Sequence, residues 1–117
     1  MNKLKKALIL DDDLCIHEMV QVAFSEYIFT CITSTAELET HQHTYFHFFL
    51  IDYKLKGETC LNILKKIKKQ FPYSPIIVIS AFGERLLLKQ LIQYPIDAFI
   101  DKPLNFDKLR KTIQSSL

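Results

Sequence analysis

No run of apolar residues in this sequence approaches the roughly eighteen needed to cross a bilayer, so membrane insertion is not expected. There is no C-x-x-C pair. The three cysteines, Cys15, Cys31 and Cys60, are odd in number and scattered, which argues against a disulfide framework and fits a reducing cytoplasm. Charge of either sign is scarcely in excess: fifteen Lys and Arg against thirteen Asp and Glu leave +2. That balance is too even for the phosphate-binding surface of a nucleic-acid protein, and no direct nucleic-acid partner is expected. With only two glycines and four prolines, the chain has no linker, repeat or low-complexity stretch. At about 150 residues per domain, 117 residues make one compact domain, 1–117, with no room for a separate output domain. The basic start, Met1 to Lys6, leads into only Ala7 to Leu10 before three aspartates, too short for a secretory apolar core.

What is present is a real core, with 49% hydrophobic and 24% charged residues. Short apolar runs alternate with helix-period segments, so a β-α pattern repeats five times. Ala7 to Leu10 reads as a buried strand, followed by a helix whose stripe is Ile16, Met19, Val20, Ala23, Phe24 and Tyr27. Ile28 to Thr33 is β-rich, and Ser34 or Thr35 caps a short helix from Ala36 to about Gln42. Tyr45 to Ile51 is the most aromatic strand. A turn at Lys56-Gly57 leads to a helix buried along Cys60, Ile63, Leu64, Ile67 and Phe71, with Lys65, Lys66, Lys68 and Lys69 outward. Ile76 to Ile79 is a continuous apolar strand, Glu84 to Gln93 a fourth helix, Ala98 to Ile100 a short last strand, and Phe106, Leu109 and Ile113 mark a closing helix. Right-handed crossovers between such units demand a doubly wound, mostly parallel α/β sheet with helices on both faces. Ligands in such folds sit beyond the carboxyl ends of the strands.

Those ends carry Asp11-Asp12-Asp13, Asp52, Ser80-Ala81 and Asp101-Lys102-Pro103. Neighbouring carboxylates repel one another unless a cation neutralises them, and an all-oxygen set suits Mg²⁺, with Mn²⁺ as a substitute. Asp11, Asp12 and Asp52 are the candidate ligands. A carboxylate beside such a metal is a nucleophile toward phosphorus, and Ser80 and Lys102 supply a hydroxyl and an ammonium for phosphoryl oxygens. The set reads as aspartyl-phosphate chemistry. Asp13 is read as an N-cap of the first helix.

The segments Leu8-Ile9-Leu10-Asp11-Asp12-Asp13, Leu50-Ile51-Asp52-Tyr53-Lys54-Leu55, Ile77-Val78-Ile79-Ser80-Ala81 and Phe99-Ile100-Asp101-Lys102-Pro103 resemble the receiver domain of two-component response regulators. The resemblance covers essentially the whole chain. It implies a flavodoxin-like, five-stranded sheet of order 2-1-3-4-5 and places Asp52 as acceptor of a phosphoryl group from a sensor histidine kinase or phosphotransfer protein. It implies further that Asp11, Asp12, Asp52 and the backbone carbonyl of Lys54 hold the metal, that Ser80 is the switch hydroxyl, and that Lys102 contacts the phosphoryl group. Ala81 and Pro103 support these positions. Phe99 matches the aromatic switch position, and the fourth helix with the fifth strand is the implied face for a downstream protein. The site would catalyse its own phosphorylation and dephosphorylation without being an enzyme in the ordinary sense.

Five positions depart from the pattern. Lys56 stands where proline is usual, Phe99 has no hydroxyl where many relatives carry tyrosine, and Pro95-Ile96 replaces a common Gly-Ala pair. Cys60 replaces a common glycine, which predicts altered geometry in the turn after Asp52, because a side chain resists positive φ. Two other functions compete. One is a degenerate receiver serving as an interaction module independent of phosphorylation. The other is a Mg²⁺-dependent phosphohydrolase, against which Lys54 stands where a general-acid aspartate would be needed. A flavin phosphate would be repelled by the aspartates after the first strand. His41, His43 and His47 lack the spacing of a zinc site, the Lys65 to Lys69 run reads as a solvated face, and Phe46, Phe48 and Phe49 read as core.

Overall fold

The apolar runs form strands buried on both faces, and the helix-period segments cover them. A computed structural model describes residues 4–81 and 93–117. In chain order the elements are β1 (Lys5–Leu10), α1 (Leu14–Ala23), β2 (Tyr27–Ile32), a 3-10 helix (Thr35–His41), β3 (Phe48–Asp52), β4 (Lys54–Leu55), β5 (Glu58–Thr59), α2 (Leu61–Gln70), β6 (Ile76–Ser80), β7 (Ala98–Asp101) and α3 (Phe106–Ser116). Five strands pair in parallel in the order β2-β1-β3-β6-β7, while β4 and β5 form a separate antiparallel hairpin. Leaving the hairpin aside, this is the expected order 2-1-3-4-5.

Side chains alternate across a strand, so each central strand feeds two cores. Leu8, Leu10, Phe49, Ile51, Ile76 and Val78 pack with Cys60, Ile63, Leu64 and Ile67 of the α2 side. Ala7, Ile9, Phe48, Leu50, Ile77 and Ile79 pack with Val20, Phe24, Leu109 and Ile113 of α1 and α3. Phe46, Phe48 and Phe49 are all fully buried, as expected of core residues. The α2 stripe is as read, and the exposed Lys65, Lys66 and Lys69 flank it.

Several boundaries differ from the sequence reading. Helix α1 stops at Ala23, the Phe24 N–H closing it on the Val20 carbonyl, and Tyr27 belongs to β2. Met19 is 47% exposed; His17, three residues before Val20 and therefore on its face, takes the buried position instead. The aromatic strand begins at Phe48, not Tyr45. Phe46 is drawn aside against Phe49 and Phe71, at ring distances of 5.6 and 6.0 Å. The short helix after β2 is a 3-10 turn capped by Ser34, with Glu37 accepting from the Ser34 and Thr33 N–H groups at 3.0 and 2.8 Å. It contributes no fully buried side chain.

Cys60 does not distort the turn after Asp52. Its φ is −71°, ordinary helical backbone, and the positive φ of the turn falls at Gly57, φ +79°, where a Cβ would meet no atom but the backbone itself disfavours one. The expected helix Glu84 to Gln93 lies, apart from its last residue, outside the described residues.

Truncating Phe49 removes a ring that bridges Phe46 and Phe71 at 5.6 and 5.2 Å in a filled layer. Phe49→Ala is expected to lower unfolding free energy by about 3–5 kcal/mol, read from urea midpoints. Tyr73→Ala, at a side chain 92% exposed, should stay within about 0.5 kcal/mol of the native chain.

Candidate functional site

Strands β1 and β3 run side by side with Leu10 opposite Ile51, so the next residue of each, Asp11 and Asp52, emerges at the same rim. Asp11 is fully buried and Asp52 is 5% exposed. Asp12, beside them, is exposed. One carboxylate oxygen from each of the three lies within 4.8 Å of the others. The chain leaves β7 at Asp101, and the N–H of the next residue, Lys102, donates to the Ser80 carbonyl at 2.6 Å. From there the Lys102 Nζ reaches Asp11 Oδ2 at 3.0 Å and Asp52 Oδ2 at 3.2 Å. The Lys102-Pro103 peptide is cis.

Three carboxylates around one ammonium leave two negative charges. Burial, and then the neighbouring Asp11 charge, push the Asp52 carboxyl from 3.8 up to about 6, against the opposing pull of Lys102. Burial alone would lower the Lys102 ammonium, but the hydrogen bond and charge of Asp11, with those of Asp52, hold it above its ordinary value. The same field reaches Cys60, whose thiol is pushed up to about 12 by burial and by the Asp52 charge. A thiol so held is inert as a nucleophile. The arrangement is a cluster of carboxylate oxygens with the Lys102 ammonium on one side. Its donor set and charge fit a hard divalent ion.

Asp11, Asp12, Asp52 and Lys102 are therefore brought together as the sequence predicts. Ser80 is the buried last residue of β6, one beyond the partner of Asp52, with its Oγ 3.4 Å from the Ala81 carbonyl. Asp13 is the N-cap of α1, its Oδ1 accepting from the Cys15 N–H at 2.9 Å. Lys54 opens β4 with an exposed side chain two residues after Asp52. Phe99 lies in β7 opposite Val78 and packs against the core on the α2 side, half-buried. Ala81 and Pro103 are exposed beside Ser80 and Lys102. Among the described residues no histidine joins a cluster of possible metal ligands. His17 is the residue the sequence reading passed over: its Nε2 lies 2.6 Å from the Asp11 carbonyl oxygen. The signal was its place three residues before Val20, on the face that carries the stripe.

The raised Asp52 value fixes the sign of a pH effect. A carboxyl that is harder to ionise folded than unfolded weakens the fold at pH above 6, and the penalty is relieved as pH falls through 6 toward 4. Asp52→Asn should thus stabilise the metal-free protein at pH 7.5 by about 1–2 kcal/mol, the gain shrinking by pH 4.5. Thermal melts in chelator measure this, and a variant that melts below the native chain at pH 7.5 contradicts it.

The sequence profile of the response regulator receiver domain matches residues 7–114. Among curated proteins, the transcriptional regulatory protein CrdR of Helicobacter pylori is 27% identical over 115 residues, covering 94% of this chain and 54% of that protein. A cyclic di-GMP phosphodiesterase of Thermotoga maritima is 31% identical over 68 residues, 58% of this chain and 18% of that protein. The chain thus spans about half or less of the length of these relatives. Among solved structures, a CheY-like response regulator receiver domain protein from Methanospirillum hungatei superposes with a TM-score of 0.86 at 25% identity, covering 97% of this chain and 93% of that one. A profile match across nearly the whole length, on a sheet of the order that the acidic rim requires, is decisive: the chain belongs to the response regulator receiver domain family.

Proposed function

We propose that Asp52 is the phosphoacceptor, taking a phosphoryl group from a phosphohistidine of a sensor kinase or phosphotransfer protein. The observation that carries this reading is a buried carboxylate at a strand end, 3.2 Å from a lysine ammonium and within 4.8 Å of two further carboxylates. An Asp52 oxygen attacks phosphorus while the phosphorus–nitrogen bond of the donor breaks, the electron pair leaving with the imidazole. Lys102, a compact point charge already at the carboxylate, meets the phosphoryl oxygens as negative charge shifts onto them. Ser80 offers its hydroxyl from the neighbouring strand end. Asp11, Asp12 and Asp52, with the backbone carbonyl of Lys54, would hold Mg²⁺, for which Mn²⁺ can substitute. When bound, the ion offsets the two excess negative charges and withdraws electron density from the phosphoryl oxygens.

Reset is hydrolysis at the same cluster: water attacks phosphorus, the bond from phosphorus to the Asp52 oxygen breaks, inorganic phosphate leaves and the carboxylate is restored. Phosphorylation draws Ser80 toward the new anion and turns Phe99 inward, a shift between two populations that remodels the surface around β7, together with the fourth helix expected from the sequence, for a downstream protein. Phe99 lacks a hydroxyl, so packing alone holds the inward state. The three free cysteines suit a cytoplasmic setting.

Intact mass after incubation with acetyl phosphate, with and without Mg²⁺, tests the reading. A single phosphoryl adduct is expected only with Mg²⁺ and only when Asp52 is present, so Asp52→Asn should show none. Lys102→Ala should slow labelling by about 10²-fold. An adduct that persists in Asp52→Asn overturns the assignment. A native chain that takes neither acetyl phosphate nor beryllofluoride is an interaction module instead.

A further inference from the structure

His17 has no place in the chemistry above, yet it is only 4% exposed on the inner face of α1. Its Nε2 lies 2.6 Å from the backbone carbonyl oxygen of Asp11. A carbonyl only accepts, so Nε2 carries the hydrogen. The other ring nitrogen, Nδ1, is buried and has no hydrogen-bond partner among the described residues. A half-satisfied ring in a buried place is unfavourable; a leucine or methionine would fill the same space beside Val20 without an unpaired ring nitrogen, but would leave the buried Asp11 carbonyl without this donor. What histidine supplies there is its one bond to Asp11.

That bond falls on a particular peptide. The Asp11 carbonyl belongs to the planar unit that joins Asp11 to Asp12, so holding it fixes the Cα positions of both residues together. Asp11 has further ties of its own: its N–H donates to the Ile32 carbonyl at 3.2 Å, its Oδ1 accepts from the Asp13 N–H at 2.8 Å, and its Oδ2 pairs with Lys102. Asp12 is exposed and its side chain has no hydrogen bond among the described residues. Among the described residues its carboxylate is placed through its backbone: His17 holds the peptide before Asp12, and the Asp13 N–H, bonded to Asp11 Oδ1, holds the one after it.

We infer that His17 is a positioning residue for the cation site, setting Asp11 and Asp12 relative to Asp52 through the Asp11 carbonyl. The inference rests on the reading of that cluster as a Mg²⁺ site. Removing a group that holds a metal ligand in place from behind typically changes metal affinity by about 10–100-fold.

The test is calorimetric titration of Mg²⁺ into the full chain, metal-free at the start, for the native protein, His17→Leu and His17→Gln. Glutamine sets an amide N–H near the place of Nε2–H; leucine fills the space and offers no donor. The leucine variant is expected to bind Mg²⁺ about tenfold more weakly while melting, without metal, close to the native chain, because it trades the unpaired Nδ1 for an unpaired Asp11 carbonyl. The glutamine variant should recover affinity to within about threefold of native. Equal affinity in native and leucine proteins overturns the role of His17, and so does an equal loss in leucine and glutamine, which would make the effect one of packing. Should His17→Leu fail to fold, His17→Met takes its place with the same expectations. A native chain that does not bind Mg²⁺ overturns the metal reading itself, an outcome distinct from both.

Discussion

One ammonium shared between two buried carboxylates governs the carboxyl end of this sheet. Lys102 stands 3.0 Å from Asp11 and 3.2 Å from Asp52, and without it two like charges would face each other with little water to separate them. It neutralises one of three. The remainder makes the site unsatisfied by itself and complementary to a divalent cation; burial first, and then the Asp11 charge, make Asp52 hold its proton to higher pH than an ordinary aspartate. A site built this way is poised for a ligand that brings positive charge and for chemistry that places an anion beside the lysine.

The rest of the domain exists to hold those groups within a few ångströms. Parallel register between β1 and β3 aligns Asp11 with Asp52, and register between β6 and β7 sets Ser80 opposite Asp101, one residue before Lys102. Registers of this kind are stable because each central strand is buried on both sides; a slip by one residue would exchange the Leu8 and Leu10 layer for the Ala7 and Ile9 layer. Packing energy is thereby converted into the spacing of carboxylates. The α1 helix adds a second constraint through its N-cap, since Asp13 caps the helix and its N–H holds Asp11 Oδ1.

Much of this was legible in the residues themselves. Apolar runs such as Ile76 to Ile79 have few alternatives to a doubly buried strand, and once strands and helices alternate, the strand ends must share a rim. The convergence of Asp11, Asp12, Asp52 and Lys102 on one rim is therefore legible in the residues. What periodicity missed has local causes. Met19 and Tyr27 satisfy the helical spacing numerically, but the chain leaves the helix at Phe24, and a polar residue, His17, fills the buried place because it has a backbone carbonyl to bind. Tyr45 and Phe46 have strand-forming side chains, yet Phe46 gains more by packing on Phe49 and Phe71 than by extending β3. The concern over Cys60 assigned the positive φ of the turn to the wrong residue, since Gly57 carries it.

The charge imbalance at the rim is open to direct measurement. Carboxyl ¹³C resonances of the aspartates, followed through pH with and without Mg²⁺, report the ionisation of Asp52 in the folded chain. The account predicts a midpoint near 6 without metal, displaced to lower pH when Mg²⁺ is present because the ion competes with the proton for the same oxygens. A midpoint at an ordinary aspartate value of about 4, unmoved by Mg²⁺, would contradict it.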